Sequence, residues 1–318
     1  MSEESGIKFT GKAPPAFYES LKEVKQQPQE EKVCAVPPKP TKSQKKQSNS
    51  LQLDELLALT KDHSYIYDEI KLPSMGVFYN GKDGPEDGIL HIRPMTGEEE
   101  QILAQPRYVN KGVAIDMIFQ KCIKQTYRTN EYLSIDRTYL LIWLRGISYG
   151  HEYDVEVRCP ECGKKFPYTI NLSDLDVNYC PATIKPPLMD VLPKSNFKFT
   201  WHFPKGRDES LITNYKDKQA REYGESGNDD SFIYRIALML DDIEGLSDKT
   251  ELMILLKKMH IQDVSYLKNL VNEPPFGVDT NCPITCMYCV HDFEVDLPLE
   301  AGFFSPRPKK TRSDSGNT

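Results

Sequence analysis

Two cysteine pairs of identical spacing constrain this chain more than any other feature. "EVRCPECGKKF" at 156–166 carries Cys159 and Cys162, and "PITCMYCVHDFEVDLPL" at 283–299 carries Cys286 and Cys289. In each copy a phenylalanine, Phe166 or Phe293, stands four residues after the second cysteine, and an alternating run follows it ("YTINL", "EVDLPL"). Each copy reads as a knuckle: a tight turn with two thiolates facing one metal, and a strand pair behind it burying the aromatic. Two knuckles supply four thiolates, the closed tetrahedral shell that structural zinc prefers, with no position left for substrate. The expected site is structural Zn2+ held by Cys159, Cys162, Cys286 and Cys289.

Alternatives stay open at the second knuckle, because Cys282-Pro283 resembles Cys159-Pro160 and His291 could replace a thiolate. Cys180, before Pro181, is a weaker candidate. Cys34 falls in the N-terminal arm, and Cys122 reads as a small buried hydrophobe on a helix. The pairs lie about 120 residues apart. A metal between them would close a long loop, and its binding free energy would appear as folding free energy.

Eight cysteines without an N-terminal apolar segment point to free thiols in a reducing compartment rather than a disulfide framework. The strongest apolar run, "YLLIWL" at 139–144, is far short of the roughly 20 residues of a membrane span, so a soluble, unsecreted protein is expected. The net charge of −7 is unevenly placed. Residues 1–50 hold nine Lys against six Glu, and residues 305–318 hold four basic groups against one Asp, which leaves −13 for residues 51–304. Such a core repels phosphate, so protein rather than nucleic acid is the expected partner.

Residues 1–50, rich in Lys, Gln, Pro and Ser, read as a disordered arm, and 304–318 as a disordered basic tail. Between them, 51–303 reads as one α+β domain: a helical core with short antiparallel strands and a two-knuckle, zinc-ribbon-like element. Its knuckle segments, 159–172 and 282–299, flank a helical insertion. Ser50 is a candidate cap for a leucine-bearing helix, and Thr96 with Glu99 forms a capping-box pattern. Asn80-Gly81 and Asp83-Gly84 mark a hairpin turn before a strand at 89–93. Helices are predicted over "GVAIDMIFQKCIKQ" and "SIDRTYLLIWLRGISYG", with Ile115, Ile118, Phe119 and Cys122 on one face. "SNFKFTWHF" alternates as a strand. Three helical stretches follow, the second running through "DDSFIYRIALMLDDIEGL" and the third starting at Ser247 or Asp248 and restarting near Ser265.

No catalytic set assembles. "HEYDV" at 151 lacks the second His of a zinc-protease helix, so His151 and Glu152 read as surface groups at a strand start. The deaminase pattern fits in neither spacing nor order, and "GKDGPEDG" lacks the ending of a phosphate loop. His63, His91, His202 and His260 are scattered. No enzyme and no small-molecule substrate are expected.

The runs "LPSMGVFY", "ILHIRPMTGEEEQIL" and "LLIWLRGISYGHEYDVEVRCPECGKKFPYTINLSDL" together resemble the baseplate hub subunit and assembly family of T-even-like, contractile-tailed bacteriophages. The resemblance covers roughly residues 70–300 and is most specific over 139–172. It implies a structural or tail-assembly protein of the baseplate hub that binds other baseplate proteins. Its implied locations are the host cytoplasm during assembly and the virion tail baseplate. The rival from another class is a zinc-ribbon nucleic-acid protein of the transcription-factor type, with its basic termini on phosphate.

Overall fold

A computed structural model of the chain describes residue 53 and residues 55–58, 66–110, 112–223, 230–299 and 301–304. The expected arm over 1–50, the Ser50 cap and the tail beyond 304 lie outside these residues.

The first strands, β1 (Asp68–Lys71) and β2 (Ile89–Ile92), pair antiparallel. They are joined by a long loop rather than a tight hairpin. Asn80 organises its tip, accepting from the Lys82 and Asp83 N–H groups, both at 3.1 Å. Near its start Gly76 has φ +79°, and a Cβ there would lie 2.3 Å from the Glu86 carbonyl oxygen, so only glycine fits. Helix α1 (Gly97–Leu103) begins with the expected capping box. The Glu99 carboxylate accepts from the Thr96 N–H at 2.7 Å and from Arg93 at 3.0 Å, fully shielded from solvent. Burial works against its charge, but Arg93 and Thr96 outweigh that and hold the Glu99 carboxyl down at about 2.

After α2 (Pro106–Asn110), α3 (Ala114–Cys122) turns Ile118, Phe119 and Cys122 into the core, with Ile115 partly buried beside them. Helix α4 (Ser134–Tyr149) runs through that core and buries Leu140, Ile142 and Leu144. It also buries Asp136, Arg137 and Arg145, each with a partner. Asp136 accepts from the Ser74 N–H (3.0 Å) and the Tyr79 hydroxyl (2.6 Å), both in the β1–β2 loop. Arg137 donates to Asp116 (2.5 Å) and to the Thr129 carbonyl (2.8 Å).

Two hairpins of the same design follow from the two cysteine segments. β3 (Glu152–Arg158) pairs with β4 (Lys165–Asn171), and Val157 opposes Phe166. Below them, β5 (Val177–Asn178) opens the way into a second core. That core is built by the antiparallel sheet β6 (Leu188–Val191), β7 (Lys198–Trp201) and β8 (Leu240–Ile243), with helices α5 (Gly206–Tyr223), α6 (Ser231–Met239), α7 (Lys249–Lys258) and α8 (Ile261–Asn272). Leu192, Phe199, Ile236, Leu240, Leu252 and Leu267 fill it. The chain returns through β9 (Gly277–Val278), which pairs with β5, and ends in the second hairpin. There β10 (Asn281–Thr285) pairs with β11 (Asp292–Asp296), and Ile284 opposes Phe293.

The architecture is α+β with short antiparallel strands, as expected, but two details of the middle segment differ. Residues 240–243, read as the end of a helix, form β8, because pairing with β7 satisfies their backbone and buries Leu240 and Ile243. The last helix restarts at Ile261 rather than near Ser265. His260 is extended there, and its ring nitrogen accepts from the Gln262 N–H at 3.2 Å. Asp248, not Ser247, caps α7, accepting from the N–H groups of Thr250 and Glu251.

The hairpin turns match in hydrogen bonding. Cys159 N–H donates to Lys164 O and Gly163 N–H to Cys159 O, and in the second turn Cys286 N–H donates to His291 O and Val290 N–H to Cys286 O. The residue after the second cysteine is left-handed in both, Gly163 at φ +68° and Val290 at φ +59°. Pro167 and Pro283 remove N–H donors from β4 and β10, strands that among the described residues pair with their hairpin mates alone, which discourages edge-to-edge association.

Two outcomes follow from these local features. The folded pKa of Glu99 lies below its ordinary 4.5, so its stabilisation is complete above that pH and is lost as pH falls toward 2. Glu99→Gln is expected to cost about 2 kcal/mol at pH 7 and to flatten the acid limb of a urea-stability profile. Val290 is 77% exposed and β-branched, so Val290→Gly relieves backbone strain without losing burial. A net gain of about 1 kcal/mol is expected after the glycine's extra unfolded-state freedom. A lowered unfolding midpoint for this variant would contradict that assignment.

Candidate metal centre

The two knuckles meet. The sulfur atoms of Cys159, Cys162, Cys286 and Cys289 all lie within 4.8 Å of one another. Across the pair of turns, Cys159 Sγ is 3.6 Å from Cys289 Sγ, and Cys162 Sγ is 3.7 Å from Cys286 Sγ. A tetrahedral zinc with Zn–S bonds of about 2.3 Å requires sulfur–sulfur edges of about 3.8 Å, so the donor set fits such an ion in both type and spacing. Cys159 and Cys286, the first cysteine of each knuckle, are buried, Cys162 is half-buried and Cys289 is exposed.

The turns aim polar backbone at the sulfurs. Tyr288 N–H donates to Cys286 Sγ at 3.4 Å. Desolvation opposes ionisation of Cys286, but N–H groups of Cys289 and Tyr288, with the neighbouring thiols, hold its thiol down at about 6. The His291 N–H favours the thiolate of Cys289, yet desolvation and the surrounding sulfurs push that thiol up to about 12. A divalent cation is what lets four thiolates stand this close.

Neither alternative ligand joins the group. Cys282 faces the core from β10 with its thiol 3.5 Å from the Thr280 carbonyl, and burial followed by Asp279 and Asp296 pushes its thiol up. His291 forms the turn through its backbone, and its ring stacks on Phe293 with centroids 6.2 Å apart. Cys122 is fully buried in the core, where desolvation pushes its thiol up to about 12. Cys180 is buried with its thiol toward the Pro181 carbonyl. Cys34 lies outside the described residues. Among the described residues, the four cysteines are the group of His, Cys, Asp or Glu side chains arranged to hold a metal. His91 lies against Gln125, His202 against Asp241, and His151 and Glu152 are exposed at the start of β3.

The supports of the site are side chains that sequence reading passed over. Tyr288 lies across from Phe166 of the other knuckle, and Lys164 stands over the Tyr288 ring at 4.7 Å. At the base, Tyr153 donates from its hydroxyl to the Pro298 carbonyl at 3.1 Å, tying the first hairpin to the exit of the second. Arg145 sits between the Tyr153 and Phe303 rings and donates to the carbonyls of Phe303 (2.8 Å) and Gly150 (2.9 Å). A basic residue inside the apolar "LLIWLRG" run was the available signal for that role.

Among the described residues, no helix is long and apolar enough to cross a membrane. Comparison with curated proteins and with solved structures finds no match to this chain. Residues 69–305 do match a family described as T4 bacteriophage base plate protein, a span of about three-quarters of the chain that includes both hairpins and both cores. The chain belongs to the T4 bacteriophage base plate protein family.

Proposed function

We propose that this protein is a structural or assembly subunit of the phage tail baseplate hub, acting by binding neighbouring baseplate proteins, with Zn2+ locking its zinc-ribbon-like pair of knuckles. Family membership supports a structural role in the baseplate and partners among baseplate proteins. The observation that carries the finer reading is the group of four sulfurs within 4.8 Å, drawn from two distant hairpins.

Bound there, zinc supplies a cross-link and neutralises the thiolates; with four protein ligands it offers no open position for chemistry. Cys159 and Cys162 would hold it from one hairpin, and Cys286 and Cys289 from the other. The ion would make the tip of the second knuckle a rigid, protruding feature, where Met287, Tyr288 and Val290 are exposed. Exposed apolar side chains on a stiff support suit protein docking. The nucleic-acid reading draws no support from residues 51–304, which carry −13. Assembly in the host cytoplasm, ahead of incorporation into the tail, is part of the same proposal.

Elemental analysis of the purified chain is expected to find about one zinc per molecule. Cys159→Ser or Cys286→Ser should lose the ion and at least about 3 kcal/mol of unfolding free energy, whereas Cys282→Ser should retain the zinc. Full zinc retention by both of the first two variants would refute the assigned ligands. For the hub reading, tagged protein from infected cells should co-purify with baseplate proteins at moderate salt. Salt-sensitive retention on DNA without any baseplate protein would favour the nucleic-acid alternative instead.

A further inference from the structure

Where α4 of the first core meets the helices of the second, the surface is cleft, and the walls of the cleft change sign along its length. One cavity, of about 390 Å³, lies between α5 and α6 with Lys216 and Arg235 in its wall beside Ile212 and Phe232. A second, of about 460 Å³, shares Ser134, Pro204 and Arg235 with the first and reaches the segment after α8, where Glu273 and Asp279 enter the wall. The three shared residues join the two cavities into one cleft. Lys216 borders the first cavity and not the second, Glu273 and Asp279 border the second and not the first, and Arg235 stands where they meet.

The fold leaves these charges uncompensated. Among the described residues Lys216, Arg235, Glu273 and Asp279 form no ion pair, and all four are exposed. Glu209, the carboxylate at the cationic end, is already engaged by the Ser134 hydroxyl at 2.6 Å and by Arg137 at 3.7 Å. A third cavity of about 350 Å³, which shares Asp279 with the second, adds Asp174 and Asp176 to the acidic side. Ile135, Pro204 and Val278 supply apolar wall in the second cavity, as Ile212 and Phe232 do in the first. A uniformly charged occupant would be drawn to one end and repelled at the other, and a single small ion would use one end alone. An occupant with opposite charges at its two ends gains at both.

We infer that this cleft receives a segment of a neighbouring polypeptide, different in sequence from this chain, that is acidic at one end, apolar in the middle and basic at the other. Its Asp or Glu residues meet Lys216 and Arg235, its apolar residues lie on Phe232, Ile212 and Pro204, and its Lys or Arg residues meet Glu273 and Asp279. Exposed charges are screened by salt, so the pattern sets orientation and choice of partner more than strength. This surface is distinct from the knuckle tip, and none of its residues is among the four cysteines, so zinc content and binding in the cleft are separate readouts.

Selection from a random peptide library on the immobilised full chain tests this, because it leaves the partner's sequence free. Peptides with carboxylates at one end and cations at the other are expected to dominate, and a synthetic copy of the leading sequence should bind with Kd of about 100 µM or tighter by fluorescence anisotropy. Lys216→Glu with Arg235→Glu should weaken that peptide at least about tenfold and favour a copy whose acidic end is changed to lysine. Glu273→Lys with Asp279→Lys should also weaken it, and favour a copy whose basic end is changed to glutamate. Circular dichroism should be unchanged in both, and the single variants Lys216→Glu and Glu273→Lys carry the same comparison should a double variant fail to fold. An absence of enriched peptides, enriched peptides without that charge order, or binding indifferent to both charge sets overturns the inference. So does self-association of the chain that displaces the peptide, which would give the cleft to a second copy.

Discussion

Two hairpins that begin more than a hundred residues apart must pack against each other, because neither is stable alone. A two-stranded hairpin has one apolar face and too few neighbours to bury it. Here the first turns Val155, Val157, Phe166 and Ile170 inward, and the second turns Cys282 and Ile284 inward, all in one continuous core with α4. The sulfurs at their tips, 124 residues apart for Cys162 and Cys286, come together as a consequence. At the opposite end, β5 and β9 pair so that the chain leaves and returns at one point. The closure cost of that long excursion grows only slowly with its length, which is why a whole second core can be accommodated within it.

Helix α4 orients this arrangement. Its inward polar groups are expensive to bury and each has a specific partner, so they define one register of surrounding segments rather than a generic collapse. Asp136 positions the β1–β2 loop, Arg137 the approach to α4 from Asp116 and Thr129, and Arg145 the segment ending at Phe304. Burial raises the pKa of Asp136, and hydrogen bonds from Ser74 and Tyr79 pull it back. A base plate component must keep its shape while neighbours are added to it, and such buried networks resist deformation.

The outer surface is divided accordingly. The paired hairpins carry carboxylates along their exposed faces, among them Glu156, Asp292, Glu294 and Asp296, and prolines on β4 and β10 limit unplanned strand pairing. Apolar side chains are exposed at several places, among them the tip of the second knuckle (Met287, Tyr288 and Val290) and the edge strand β6 (Met189 and Val191). These are places where another chain gains by burying surface. The first knuckle presents Pro160, Glu161 and Lys164 at its turn, so the two copies of one motif have diverged in what they display while keeping the same backbone.

The repeated C-x2-C unit, its trailing phenylalanine and the alternation around it carried enough information to expect two knuckles facing each other, with the ligands of the second left open, since a hairpin's local geometry depends on residues close in sequence. The Thr96–Glu99 capping box and the buried face of α3 were legible for the same reason. Exclusion of Cys282 and His291 from the group was not: Cys282 sits where strand alternation turns it into the core, a matter of register. Likewise, residues 240–243 were read as helix from their apolar pattern, but β7 offered a ladder that local propensity could not foresee. The partners of Asp136, Arg137 and Arg145 also emerged only from the fold, because a buried charge names its need for a partner without naming the segment that meets it. Local periodicity and turn chemistry determined the pieces; long-range burial and backbone satisfaction decided which distant pieces share a core.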